Sequence, residues 1–282
     1  MSIWYALVDL LPFEWATPGM LYFMKNALLA AIIMGPLFGI LSTMVVTGKM
    51  SFFSDALGHA GFTGIAIGVL CGFAFPMAVA VVLAVLIALL FTWIRSRSRM
   101  SADTVTGVFS STAVALGIFI STLNGGSFTK FNKYLIGDIL SVTPAQIGML
   151  ALVLLAVVIL WVLASNRLML STVHPQLAAS RGIRVQGFQA LFTVAIAVVV
   201  TLGMRWVGLM VINSLLVLPA AAARNIARNM RQYHLFAVLG ALFCSVGGLL
   251  ISYYLGPSTG ASISLLLSLY FAATFCFRKK RQ

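Results

Sequence analysis

Nine stretches of apolar residues recur along the chain, separated by short polar breaks: roughly 21–46, 53–73, 77–96, 103–123, 145–165, 186–204, 207–228, 234–254 and 260–278. An α-helix needs about 20 apolar residues to cross the hydrocarbon of a bilayer. Each stretch therefore predicts a transmembrane helix. Two of the breaks are very short, Phe73 to Pro76 and Met204 to Val207. Pro36 and Pro219 fall inside the first and seventh spans, where neighbouring helices can satisfy the freed backbone groups. The expected fold is an all-α integral membrane protein, a polytopic bundle of about nine spans. The first strongly apolar stretch is too long for a cleaved signal peptide, and others follow it.

Composition agrees with this reading. Of the 282 residues, 61% are hydrophobic and 8% charged, against about half and a quarter in a soluble domain. Too few polar side chains remain to cover a water-facing surface. Residues 21–278 read as one transmembrane domain. Residues 1–20, with Trp4, Tyr5, Asp9, Glu14 and Trp15, read as an extracellular interfacial segment whose aromatics rest at headgroup level, and 279–282 as a basic cytoplasmic tail. The net charge of +13 does not call for nucleic acid, because the basic residues cluster in short loops. Fourteen of the eighteen fall on one side of the alternation: Lys49; Arg95, Arg97 and Arg99; Arg167, Arg181 and Arg184; Arg224, Arg228 and Arg231; Arg278, Lys279, Lys280 and Arg281. The positive-inside rule makes that side the cytoplasm, with the N-terminus outside, the C-terminus inside, and Lys25, Lys130, Lys133 and Arg205 outside. Cys71, Cys244 and Cys276 have no paired spacing and read as small buried hydrophobes rather than disulfides or metal ligands.

Inside this apolar chain, Asp55 and His59 stand four residues apart in Met50-Ser-Phe-Phe-Ser-Asp-Ala-Leu-Gly-His-Ala-Gly-Phe62. Four residues is about one helical turn, so both side chains share a face. Ionisable groups are costly in hydrocarbon and are usually functional there. A carboxylate and an imidazole at this spacing are two ligands for a divalent metal. They also suit a structural role, an Asp–His hydrogen bond that holds helices together. Gly58, Gly61, Gly64 and Gly68 leave one face of the same helix almost bare, which permits close approach of another helix. If that partner is the same helix of a second protomer, two Asp and two His converge near a twofold axis and match a divalent cation in charge. That is the expectation of a homodimer.

Other motifs carry less. The segment from Ser171 to Val185 has Pro175 placed for the first turn of a short helix and Gly182 just past its end. It suits either an ordinary connection or a docking helix for a cytoplasmic partner. Asn213, mid-span, fits an interhelical hydrogen bond, and the alanines 220–223 after Pro219 fit tight helix packing. Asp103 suits a helix cap; Asp138 could cap, pair with Lys133 or face a ligand; His174 and His234 lie at span ends and are not read as metal ligands. The chain has no Gly-x-x-x-x-Gly-Lys-Ser/Thr loop, no His-Glu-x-x-His and no nucleophilic triad with usable context. It is not read as an enzyme, and any ATP used would be bound by another chain.

Several motifs in register resemble the membrane-spanning permeases of ABC importers for zinc, manganese and iron, from about Phe23 to Phe271. They are Met50-Ser-Phe-Phe-Ser-Asp-Ala-Leu-Gly-His-Ala60, Asp103-Thr-Val-Thr-Gly107, Tyr134-Leu-Ile-Gly-Asp-Ile-Leu140, Val217-Leu-Pro-Ala-Ala-Ala-Ala-Arg224 and Ser252-Tyr-Tyr-Leu-Gly-Pro-Ser-Thr-Gly260. The resemblance implies a bacterial-type cytoplasmic membrane protein with Asp55 and His59 as intramembrane metal ligands. It implies a coupling helix at about 174–185, with His174, Pro175, Leu177, Ala178, Gly182 and Ile183 meeting a separate ATPase. It implies an extracellular metal-binding lipoprotein or periplasmic binding protein that delivers Zn²⁺ or Mn²⁺ as cargo, with no permanently bound cofactor. The family usually has an acidic residue where His174 stands. Ser141-Val-Thr-Pro144 is more similar to the zinc branch. A proton-driven secondary carrier would want more intramembrane acids than Asp55. A siderophore or corrinoid permease would have no use for the Asp/His pair, and a membrane scaffold would leave it unexplained.

Overall fold

A computed structural model describes residues 2–9, 21–98, 100–123, 137 and 139–277. These form helices α1 (Ser2–Val8), α2 (Tyr22–Thr47), α3 (Phe53–Leu70), α4 (Pro76–Arg97), α5 (Ala102–Thr122), α6 (Pro144–Val173), α7 (Pro175–Ser180), α8 (Val185–Val207), α9 (Leu209–Ile226), α10 (Met230–Leu255) and α11 (Thr259–Cys276), with a 3-10 turn at Ile139–Ser141. Nine of the described helices, α2–α6 and α8–α11, are long and apolar enough to cross a membrane.

Two boundaries depart from the hydropathy pattern. Helix α6 runs for 30 residues, through Asn166 and Arg167 to Val173. Its start is fixed by a capping box between Thr143 and Gln146 with Pro144 in the first turn. The break between α8 and α9 is the single residue Gly208, at φ 86°. Helix α8 therefore continues through Arg205, which sits in its last turn rather than in a loop.

The helices sort into two groups. Helices α2, α9, α10 and α11 pack on one another, and so do α3, α4, α5 and α8; contact between α3 and α9 is thin by comparison. Helix α6 touches both groups through α2 and α8. Helix faces turned away from these contacts stay apolar: Val82 and Leu86 on α4, Leu152 and Leu163 on α6, and Leu265 and Leu269 on α11 are all exposed. Such faces suit lipid rather than water.

Helix α1 does not rest apart from the bundle. Trp4 Nε1 donates to the Lys25 carbonyl at 3.0 Å and Tyr5 Oη to Asn26 Oδ1 at 2.8 Å. The ammonium of Lys25, fully buried, is paired with Asp9. Trp4, Tyr5 and Asp9 thus clamp the start of α2, and Lys25 is a buried paired charge rather than a loop cation. The reason is energetic: an amine that deep needs an anionic partner.

Candidate metal site

Helix α3 begins after a tight reversal at 48–52, where Met50 N–H reaches the Val45 carbonyl at 3.0 Å and Lys49 takes φ 53°. Asp55 lies in its first turn and His59 one turn on. The four glycines sit on faces turned into the same subunit. A Cβ on Gly64 would fall 2.5 Å from Ala80 Cα, and one on Gly68 2.8 Å from Pro76 Cα, so α3 meets the α4 backbone directly. A Cβ on Gly58 would strike the Leu209 side chain of α9 at 1.9 Å, and one on Gly61 would meet Met204 and Thr201 of α8 at 3.0 and 3.1 Å. This corrects the expectation that the glycine face meets a second protomer. The chain's own α4, α8 and α9 already occupy it, because the connections place them against the bare backbone.

With the glycine side filled, the side of α3 that keeps contact with open space carries Asp55 and His59, 39% and 24% exposed at their side chains. His59 Nε2 lies 3.5 Å from Asp55 Oδ1. Two neutral donors hold the carboxylate. Ser110 Oγ, from the middle of α5, donates to Oδ2 at 3.1 Å, and Asn213 Nδ2, from α9, donates to Oδ1 at 3.0 Å. The Asn213 bond spans the two helix groups. A further tie fixes α3 against α5: Thr63 Oγ1 donates to the Ala113 carbonyl at 2.7 Å, and Gly117 lets α5 approach Phe62 and Thr63.

Asn213 makes the interhelical bond its mid-span position suggests, and that bond goes to the candidate ligand itself. Ser110 carries no expectation in the sequence reading. The signal available is the polar run Ser110-Ser-Thr112 in the middle of an apolar span. Among the described residues, no group of three or more His, Cys, Asp or Glu side chains gathers at one point. Asp55 and His59 are side chains of the kinds that transition metals favour as ligands.

The opposite feature is a basic end. Lys49, Arg95, Arg224 and Arg228, with His174, line a cavity of about 990 Å³ where α2, α4, α6, α9 and α10 meet. Arg95 also donates to the Gly48 carbonyl at 3.1 Å. Cations from three separate breaks, with His174 from a fourth, thus share one end of the bundle. Beside it stands α7, with Pro175 in its first turn. Gly182, at φ 73°, ends it: Ile183 N–H returns to the Ala178 carbonyl and Gly182 N–H to that of Ala179, both at 3.0 Å. Ala178 is buried, whereas His174, Pro175 and Leu177 face outward and Ile183 is half-buried.

The remaining polar residues take structural places. Ser101 rather than Asp103 caps α5, its side chain accepting from Thr104 N–H; Asp103 sits in the first turn. His234 Nδ1 lies 2.9 Å from Thr43 Oγ1, its ring edge-on to Trp161. Cys71, Cys244 and Cys276 are free thiols; Cys244 is buried as expected, whereas Cys71 and Cys276 are exposed, because they stand at the ends of α3 and α11 rather than inside the bundle. Glu14, Trp15, Arg99, Lys130, Lys133, Asp138 and 278–282 lie outside the described residues.

Comparison with known proteins adds to this geometry. The ABC 3 transport family matches residues 20–278. The high-affinity zinc uptake system membrane protein ZnuB of Haemophilus influenzae is 28% identical over 90% of this chain and 97% of its own length. The manganese import system permease protein ScaB of Streptococcus parasanguinis is 32% identical, covering 93% of this chain and 92% of itself. The solved structure of PsaBC from Streptococcus pneumoniae in complex with Fab superposes with a TM-score of 0.78 at 28% identity, over 98% of this chain and 95% of that one.

Proposed function

The chain belongs to the ABC 3 transport family, as a metal-importer permease, and from that premise we propose that its cargo is Zn²⁺, carried through Asp55 and His59. The observation that carries this is the separation of those two ligand atoms. Two bonds of about 2.1 Å to atoms 3.5 Å apart subtend about 110°, the tetrahedral angle that zinc prefers. A small octahedral cation with bonds of about 2.1 Å would hold adjacent ligands closer, at about 3.0 Å. Manganese is the second reading, favoured by the relatives of streptococci.

Two ligands do not fill a tetrahedral shell, so the site is completed by a second copy of the chain. Its contact is not the glycine face but the open side of α3 that carries Asp55 and His59. Two carboxylates and two imidazoles then replace the hydration shell of the ion, whose charge offsets the cost of holding the acids in hydrocarbon. An extracellular binding protein delivers the ion. A separate ATPase docks on α7, at the basic end of the bundle, which the positive-inside rule makes cytoplasmic. The N-terminus is then outside and the C-terminus inside.

The test is uptake by proteoliposomes holding the permease with its ATPase and binding protein. The expected result is ATP-dependent accumulation of Zn²⁺ in preference to Mn²⁺, lost in an Asp55→Ala/His59→Ala double variant. Accumulation that survives the double variant refutes the site, and a preference for Mn²⁺ refutes the cargo. Orientation is read from two native thiols, Cys71 after α3 and Cys276 at the end of α11, both exposed. An impermeant thiol reagent added to intact cells should label Cys71 and spare Cys276; the reverse pattern inverts the topology.

A further inference from the structure

Both oxygens of the Asp55 carboxylate are already spoken for, and by different helices. Oδ2 accepts from Ser110 at 3.1 Å, and Oδ1, the oxygen nearer His59, accepts from Asn213 at 3.0 Å. Turning the carboxylate about its terminal bond would break both. Asn213 makes its bond at a cost to itself, because its own Oδ1 is buried with no hydrogen-bond partner among the described residues. The opposite amide orientation would set a carbonyl oxygen against the carboxylate, which repels it. The arrangement serves Asp55 rather than Asn213.

We propose that Ser110 and Asn213 are positioning residues that set metal selectivity by fixing Asp55 as a one-oxygen ligand. This rests on the reading of Asp55 and His59 as ligands to the cargo. A carboxylate pinned in this way offers Oδ1 beside the imidazole and holds Oδ2 toward α5. One oxygen and one nitrogen per chain make a four-coordinate set across two copies, which suits zinc. Cations that take more ligands, or both oxygens of one carboxylate, require Asp55 to turn. The hydroxyl and the amide are neutral, so they orient the acid without cancelling the charge it brings to the ion. Partners of metal ligands at this remove typically change affinity or activity about 10–100-fold when removed.

The experiment compares Zn²⁺ and Mn²⁺ uptake by the reconstituted importer, as half-saturating concentrations for each ion, in Ser110→Ala, Ser110→Thr and Asn213→Ala. Ser110→Ala removes the Oδ2 donor with little change of volume. It should raise the zinc value and lower the manganese value, so that their ratio moves by about 10-fold toward manganese. Ser110→Thr keeps the hydroxyl and should restore the ratio. Asn213→Ala should move it in the same direction as Ser110→Ala. A merely structural role would shift both ions by the same factor. Equal shifts, or an unchanged ratio in both alanine variants, overturn the proposal. If Ser110→Ala fails to assemble, Asn213→Ala decides alone. Should the unmodified importer prefer Mn²⁺, the zinc reading fails while the clamp still predicts a changed ratio. If zinc stays preferred and the ratio never moves, the clamp fails and the zinc reading stands.

Discussion

On one side, α3 meets α4 at backbone distance, with Gly64 against Ala80 and Gly68 against Pro76. On the other, the same helix leaves Asp55 and His59 a quarter to two-fifths exposed, with the Asp55 carboxylate held by single hydrogen bonds from Ser110 and Asn213. The first side spends its glycines on close packing, which fixes where the helix lies. The second side packs on α5 farther along, at Phe62 and Thr63, and keeps the Asp55 and His59 side chains accessible. The glycine contacts and the polar pair are thus carried by different faces, so substitutions at the two should have separable consequences. The largest effect is expected on the ligand side. Asp55→Ala or His59→Ala should each bring metal uptake to near background; His59→Ala should change thermal stability in detergent by less than about 1 kcal/mol, and Asp55→Ala, which leaves the Ser110 and Asn213 donors unpaired, by about 1–3 kcal/mol. Equal loss of fold and uptake would mean that the pair is a structural bond after all.

Next in size is a change on the packed side. Gly64→Val places branched carbons where Ala80 Cα and Val79 O already stand, at 2.5 and 3.2 Å from the first added atom. Backbone cannot rotate away as a side chain can. Overpacking of this kind costs about 1–3 kcal/mol or more, and the melting temperature of the purified permease should fall clearly. Uptake should fall with the amount of folded protein and no further. A selective loss of metal binding at full stability would show that the two sides are coupled.

Much of this fold can be read directly from the chain. An apolar run of about 20 residues has few alternatives to a spanning helix, and the nine described spanning helices follow the runs closely. Pro175 and Gly182 bracket α7 because each has a strong local preference, one for a first helical turn and one for φ 73°. The spacing of Asp55 and His59 likewise puts them together by local geometry alone. What cannot be read is which helix covers which face. Four glycines announce a close approach without naming the partner, and here the partner is the same chain. Ser110 and Asn213 are separated from Asp55 by 55 and 158 residues. Their convergence is a property of the packed bundle, and no local period encodes it. The break between α8 and α9 is legible at Met204 to Val207, but its place at the single residue Gly208 is not, since Arg205 rather than Gly208 marks the fall in hydropathy.

The finest comparison lies within the glycine side itself. At Gly61 an added Cβ would meet Met204 Sδ at 3.0 Å and Thr201 Cγ2 at 3.1 Å, both side-chain atoms. The methionine is unbranched with three rotatable bonds and can swing aside. The methyl of Thr201 can give only with a shift of its rotamer or of α8. Against this, alanine lowers the entropy that glycine loses in a helix, worth about 0.5–1 kcal/mol. The two contributions nearly cancel, so Gly61→Ala should change stability by less than about 1 kcal/mol, far below Gly64→Val. The pair of melting temperatures, taken with uptake by both variants, therefore measures whether α3 is held by backbone contact with α4 or by side chains of α8. A Gly61→Ala loss as large as that of Gly64→Val would shift the fixed side of the helix from α4 to α8.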